Sequence, residues 1–162
     1  MENNIAFVTC VELGFECLKE LYISNLQVNL LFTLEDKEAK NKSGRVYLDE
    51  YAAEKNIQLE KIKDINEQKV IDLLSKNKID YLFIIGWSQI VSQNILKIPK
   101  KGCFGIHPTL LPKGRGRASI PWAILKELPE TGATLFKIDE GVDSGPIIFQ
   151  EKIKLNRFMN AS

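Results

Sequence analysis

Strand-like and helix-like stretches alternate through residues 5–87, and this alternation limits the fold more than any other feature of the chain. "IAFVTC" (5–10) and "VNLLFTL" (28–34) are short apolar runs suited to parallel strands buried on both faces. "IQLEKI" (57–62) alternates as a half-exposed strand does, and "IDYLFIIGW" (79–87) is the most apolar run and reads as a central strand. Between them lie three helical patterns. "GFECLKELYISN" (14–25) sets Phe15, Leu18, Leu21 and Tyr22 at helical spacing. "VYLDEYAAEKN" (46–56) ends at Asn56, and "NEQKVIDLLSKNK" (66–78) carries Val70, Leu73 and Leu74 on one face. A β-α-β-α order with right-handed crossovers predicts an α/β fold, a doubly wound and mainly parallel sheet with helices on both faces. "EDKEAKNKSG" (35–44) is charged and reads as an exposed, mobile loop.

The texture changes after residue 100. "GCFGIHP" (102–108) reads as a short strand ending at His107, because Pro108 cannot continue a ladder. "TLLPKGRGRAS" (109–119) is a loop. "IPWAILKEL" (120–128) is a helix, with Ser119 as its cap and Pro121 in its first turn. "GATLFKID" (132–139) and "GPIIFQEKIKL" (145–155) are strands joined by the turn "EGVDSG" (140–145). The tail "NRFMNAS" (156–162) reads as the approach to a further element, so residues 1–162 are expected to form one domain truncated at its C-terminus.

Bulk properties exclude several classes. A net charge of +1 gives no general attraction for nucleic acid or membrane. No apolar run reaches the roughly 20 residues of a membrane span. The N-terminus lacks the basic and apolar regions of a secretory signal. Cys10, Cys17 and Cys103 have no metal-like spacing and read as free, mostly buried thiols of a reducing compartment. A cytoplasmic location and no metal follow. The turn after the first strand, "TCVELG", holds one glycine where a dinucleotide fingerprint needs three. "KGRGR" is no phosphate loop either, since it lacks G-x-x-x-x-G-K-[ST].

The chain has one histidine. A lone histidine is most often a surface or satisfied core residue, but His107 closes a strand, and open parallel sheets bind ligands beyond their strands' carboxyl ends. Glycines behind it let backbone approach a ligand. Asp143, in "VDSGPI", is either a turn aspartate satisfying local amides or a carboxylate that orients the imidazole for proton transfer. Lys113, Arg115 and Arg117 are either a solvated basic loop or a clamp for a phosphate or carboxylate. Trp87 and Trp122 read as core packing ahead of ligand stacking.

"GIHPTLLPKGRGRASIPWAI" (105–124) followed by "TGATLFKIDEGVDSGPIIFQ" (131–150) resembles the folate-dependent formyltransferases, whose signature runs approximately N-x-H-x-S-L-L-P and then D-x-G-x-D-T-G. The family includes enzymes acting on methionyl-tRNA, glycinamide ribonucleotide and nucleotide-linked amino sugars, and a formyltetrahydrofolate hydrolase. The resemblance implies a Rossmann-like catalytic domain of the formyltransferase N-terminal type. It implies formyl transfer from 10-formyltetrahydrofolate to a primary amine. His107 and Asp143 match the catalytic histidine and aspartate. Ser88, Gln89, Ile90, Leu111, Pro112, Gly141, Val142 and Asp143 match the folate cleft, and Lys113, Arg115 and Arg117 then face the acceptor. "LPKGRGRA" looks closest to the amino-sugar enzymes and the tRNA enzymes. The expected acceptor is an amine on a nucleotide-linked sugar. tRNA stands behind it, because the family's tRNA enzymes carry a further domain and the charge here is near neutral. A homodimer is also among the expected partners.

The departure is at Gly105, where the family places an asparagine that donates to the developing oxyanion. Loss of one such donor costs on the order of 100- to 1000-fold in rate. Three readings stay open. A water or another donor fills the gap, the glycine makes room for a bulkier group, or the protein binds folate or an amine without efficient transfer.

Overall fold

The computed structural model describes residues 3–39, 42–156 and 158–159. The chain divides into two compact units, Met1–Cys103 and Phe104–Ser162. Parts of two expectations lie outside the described residues: Lys40 and Asn41 in the 35–44 loop, and Arg157 and Asn160–Ser162 in the tail.

The first unit runs β1 (Ile5–Val8), α1 (Glu12–Ile23), β2 (Leu30–Leu34), α2 (Asp49–Glu54), β3 (Gln58–Ile62), α3 (Gln68–Lys76), β4 (Tyr81–Ile84) and α4 (Gln93–Leu96). β1 pairs in parallel with β2 and β4, and β2 with β3, so the order is β3-β2-β1-β4. The register sets Ala6 against Leu30 and Leu82. Every residue of β1 and β2 is buried, as apolar parallel strands require, whereas β3 buries only Ile62. α3 turns Val70 and Leu74, one helical turn apart, into the core. Gly14 brings α1 close: a Cβ there would run into the Thr9 side chain and the Ile85 carbonyl. This is the Rossmann-like, mainly parallel α/β arrangement that the apolar runs predict. Cys10 and Cys103 are buried and Cys17 is half-buried. Among the described residues no helix is long and apolar enough to cross a membrane, and no cluster of three or more His, Cys, Asp or Glu could hold a metal.

The segment after β2 differs from the exposed loop expected. Its described residues form hydrogen-bonded turns, and Ala39 is buried with Cys10 and Leu34, against which Val11 and Trp87 pack. Arg45 follows, its guanidinium donating to Thr33 Oγ1 at 2.9 Å and to the Leu34 carbonyl at 2.7 Å. One small side chain and one buried cation hold down a stretch that composition marks as solvated.

The second unit contains β5 (Gly102–His107, which begins at the boundary), α5 (Ser119–Leu125), β6 (Glu130–Lys137) and β7 (Ile147–Lys154). β6 pairs antiparallel with β5 and with β7. His107 lies opposite Thr134, and Thr134 opposite Gln150. Ser119 does not cap α5. It is the first helical residue, and Ala118 holds the cap position in the left-handed region at φ 57° without a side-chain bond. Trp122 departs from the packing expected of it. The residue is 55% exposed, on a helix that buries only Ala123.

Candidate active site

β5 stops at His107 because Pro108 has no amide to donate. The strand leaves the imidazole buried, its side chain 9% exposed. Its Nε2 lies 2.7 Å from the Gly114 carbonyl oxygen, and its Nδ1 lies 3.3 Å from Asp143 Oδ2. A carbonyl only accepts, so Nε2 carries a proton and donates to it. Asp143 sits in the turn between β6 and β7 at φ 48°, a left-handed conformation aspartate tolerates better than most residues. The same Oδ2 accepts the Gly116 amide at 2.8 Å. One carboxylate oxygen therefore faces the imidazole and also pins the 109–117 loop.

That loop folds back through its own main chain. Gly114 has φ +70°, and a Cβ there would stand 2.8 Å from Thr109 Cγ2, so glycine is what lets the carbonyl turn toward His107. Thr109 Oγ1 donates to the Lys113 carbonyl at 2.8 Å. The Leu111–Pro112 bond is cis. Two residues that carry no motif support the loop from β6 and β7. Thr134, fully buried, donates from Oγ1 to the Thr109 carbonyl at 2.6 Å and accepts the Leu111 amide at 3.3 Å. Gln150 Nε2 donates to Thr134 Oγ1 at 2.7 Å and to the Leu111 carbonyl at 3.0 Å. In sequence Thr134 is one polar residue alternating with Gly132 and Phe136, and Gln150, alternating with Lys152 and Lys154, carries no signal.

The turn bearing Asp143 has its own clasp. Asp139 Oδ1 accepts the Gly141 amide at 3.0 Å and the Ser144 hydroxyl at 2.8 Å. Gly145 is packed so closely that a Cβ would meet the Lys137 carbonyl. Val142 projects from this turn 54% exposed, Leu111 is buried and Pro112 is exposed.

Ser88, Gln89 and Ile90 lie in the first unit, after β4. Ile90 is 69% exposed. The Gln89 amide ties its loop to the segment after β3: Oε1 accepts from the Ile65 amide at 2.9 Å and Trp87 Nε1 at 3.0 Å, and Nε2 donates to the Lys63 carbonyl at 2.7 Å. Ser88 Oγ accepts from Lys42 Nζ at 2.8 Å.

Gly105 is buried in β5 opposite Phe136. It lies two residues before His107, so a side chain at 105 would project from the same sheet face as the imidazole. Lys113, Arg115 and Arg117 line a cleft of about 500 Å³ together with Trp122 and Lys126.

A family model described as "Formyl transferase" matches residues 13–160. A methionyl-tRNA formyltransferase of Finegoldia magna is 30% identical over 158 residues, covering 96% of this chain and 51% of that protein. The chain thus spans about half the length of the curated relatives it matches. Two solved structures share its fold. One is phosphoribosylglycinamide formyltransferase from Bacillus halodurans, with TM-score 0.79 and 24% identity over 98% of this chain and 83% of that one. The other is a sugar 3N-formyl transferase, with TM-score 0.72 and 21% identity over 96% of this chain and 53% of that one. With the family model covering most of its length, the chain belongs to the formyl transferase family.

Proposed function

We propose that residues 1–162 act as a catalytic domain that moves a formyl group from 10-formyltetrahydrofolate to a primary amine. The observation that carries the reading is the His107–Asp143 pair, 3.3 Å apart at the end of β5. An amine attacking a formyl carbon must shed a proton while negative charge gathers on the carbonyl oxygen. With its ring proton held at Nδ1 against Asp143, His107 takes the amine proton at Nε2 once the Gly114 carbonyl releases that nitrogen, and the Asp143 carboxylate stabilises the imidazolium that results. The folate supplies the activated formyl group and leaves with its nitrogen reprotonated, so His107 returns the proton it took.

The exposed apolar side chain of Val142, beside Asp143, supports the folate reading, because the flat face of a pterin ring can pack on such a surface. The sugar 3N-formyl transferase was crystallised with dTDP and 5-N-formyl-THF, which fits the same donor chemistry. The acceptor proposed is an amino sugar carried on a nucleotide, with Lys113, Arg115 and Arg117 facing its phosphates. Methionyl-tRNA is the second reading, favoured by the 30% identity to a methionyl-tRNA formyltransferase.

Purified protein incubated with 10-formyltetrahydrofolate and either nucleotide amino sugars or charged initiator tRNA tests both. Formylated amine and released tetrahydrofolate are expected from one acceptor, and neither from the His107→Ala variant. Formate without any amine would replace transfer with hydrolysis, and absence of folate binding would end the proposal.

A further inference from the structure

β6 buries one of its faces and leaves the other half-covered. Gly132, Thr134 and Phe136 are buried on the side of His107, whereas Ala133 and Leu135 between them are only half-buried. Strand pairing carries that second face across three strands. Leu135 lies between Ile106 of β5 and Phe149 of β7, and Ala133 lies opposite Glu151. Ile106 is half-buried and Phe149 is 59% exposed. An antiparallel sheet that faces water on one side sets polar side chains there. Here the row Ile106, Leu135 and Phe149 is apolar from strand to strand, and an apolar sheet face is stable when another layer packs on it.

Two charges on the same face flank this row. Lys137 stands one step beyond Leu135 on β6, and Glu151 stands one step to the other side, opposite Ala133. Both are exposed, and among the described residues neither takes part in an ion pair. They are about 13 Å apart along the strands, since alternate residues of a strand are about 6.7 Å apart. A two-fold axis laid along the Ile106–Leu135–Phe149 row exchanges the two flanks. Two copies packed face to face about that axis set the apolar row on its own counterpart. They also bring Lys137 of one copy over Glu151 of the other, twice. An isologous interface needs a patch that complements itself, and this one does so in polarity and in sign of charge.

We propose that this outer face of β5, β6 and β7 is a self-association surface, on which a second copy of the chain docks sheet against sheet. Stacked sheets lie about 10 Å apart, a gap that the apolar row fills from both sides. His107 projects from the opposite face of β5 to its neighbour Ile106, so the dimer leaves the imidazole open. Formyl transfer plays no part in the surface, which is tested without folate or acceptor.

Sedimentation equilibrium of the whole chain over a wide range of concentrations is expected to show a monomer–dimer equilibrium. Phe149→Asp sets like charges against each other near the axis and is expected to leave monomer alone, with circular dichroism checking that the variant folds. Glu151→Lys and Lys137→Glu are each expected to weaken the dimer by about tenfold or more, because like charges then meet between the copies. The double variant Lys137→Glu/Glu151→Lys reverses both charges and is expected to restore association, a rescue that loss of folding could not give. A wild-type chain that stays monomeric overturns the proposal and leaves the face to a segment of another protein. A dimer that survives Phe149→Asp overturns it as well, and so do single reversals that the double variant does not rescue.

Discussion

His107 Nε2 donates to the Gly114 carbonyl oxygen across 2.7 Å, while Nδ1 faces Asp143. Both ring nitrogens thus look at oxygen acceptors, and a neutral imidazole has only one proton to share between them. The Gly114 bond fixes where that proton sits. The neutral ring is expected to be the Nε2–H tautomer, and with a single histidine in the chain a nitrogen-15 correlation spectrum reads it directly. A neutral ring protonated at Nδ1 would mean that the loop does not hold the imidazole as described. For the same reason, taking a substrate proton at Nε2 requires that Gly114 let go and that the ring proton move to Nδ1, where Asp143 Oδ2 accepts it. Asp143→Asn keeps a polar partner at Nδ1 but removes the charge, and is expected to lower kcat by about 100-fold or more.

Gly105 poses the sharpest test of the chemistry. It sits in extended strand opposite Phe136 and is not among the positive-φ residues, so the backbone accepts a side chain there. Gly105→Asn projects an amide on the face of His107. If the developing oxyanion lacks a donor in the wild-type protein, kcat should rise by about 100-fold. An unchanged or lower kcat in a folded variant would show that another group already fills that role.

Thr134 links the loop to the β6–β7 hairpin through three hydrogen bonds from one buried hydroxyl. Thr134→Val keeps the shape and strands the Thr109 carbonyl and Leu111 amide. Stability is expected to fall by about 3 kcal/mol, measured by urea unfolding, because buried polar groups left unpaired each cost about 1 to 3 kcal/mol. A change within a few tenths of a kcal/mol would mean that water replaces the hydroxyl.

Legibility followed the kind of force involved. The parallel strands of the first unit could be seen in the chain because burial on both faces leaves an unbroken apolar run, as in Leu30–Leu34. α4 could not, since four residues carry no period. The cap of α5 was misplaced by one position because Ala118 holds it through backbone conformation alone. The nearness of His107 and Asp143 followed from resemblance to a motif, not from spacing. Thr134 and Gln150 were invisible because their role is set by which carbonyls and amides come to face them. Trp122 was misjudged for a related reason: a tryptophan pattern does not say which side of a short helix the chain will cover.

Acid sensitivity should centre on the first unit. Asp80 Oδ2 accepts the Asn4 amide at 2.9 Å and Oδ1 pairs with Lys100 Nζ at 3.2 Å, and these two partners, the amide first, hold its carboxyl below the usual carboxylate range. A lowered folded pKa means that the stabilisation is fully present above the unfolded value of about 3.9 and is lost as pH falls through the folded one. Wild type and Asp80→Asn should therefore differ in Tm at pH 7 and converge as the pH drops below about 4. Parallel Tm curves down to pH 2 would show that the charge is not what holds Asn4 in place.

Among the described residues, the 109–117 loop meets the imidazole and the carboxylate through the main chain of Gly114 and Gly116, while Lys113, Arg115 and Arg117 line the neighbouring cleft. Under the proposed function, proton handling and acceptor choice are written on alternate letters of one short word. The odd-numbered letters can be respelled, by natural drift or by a designer seeking a different amine, without disturbing the glycines between them.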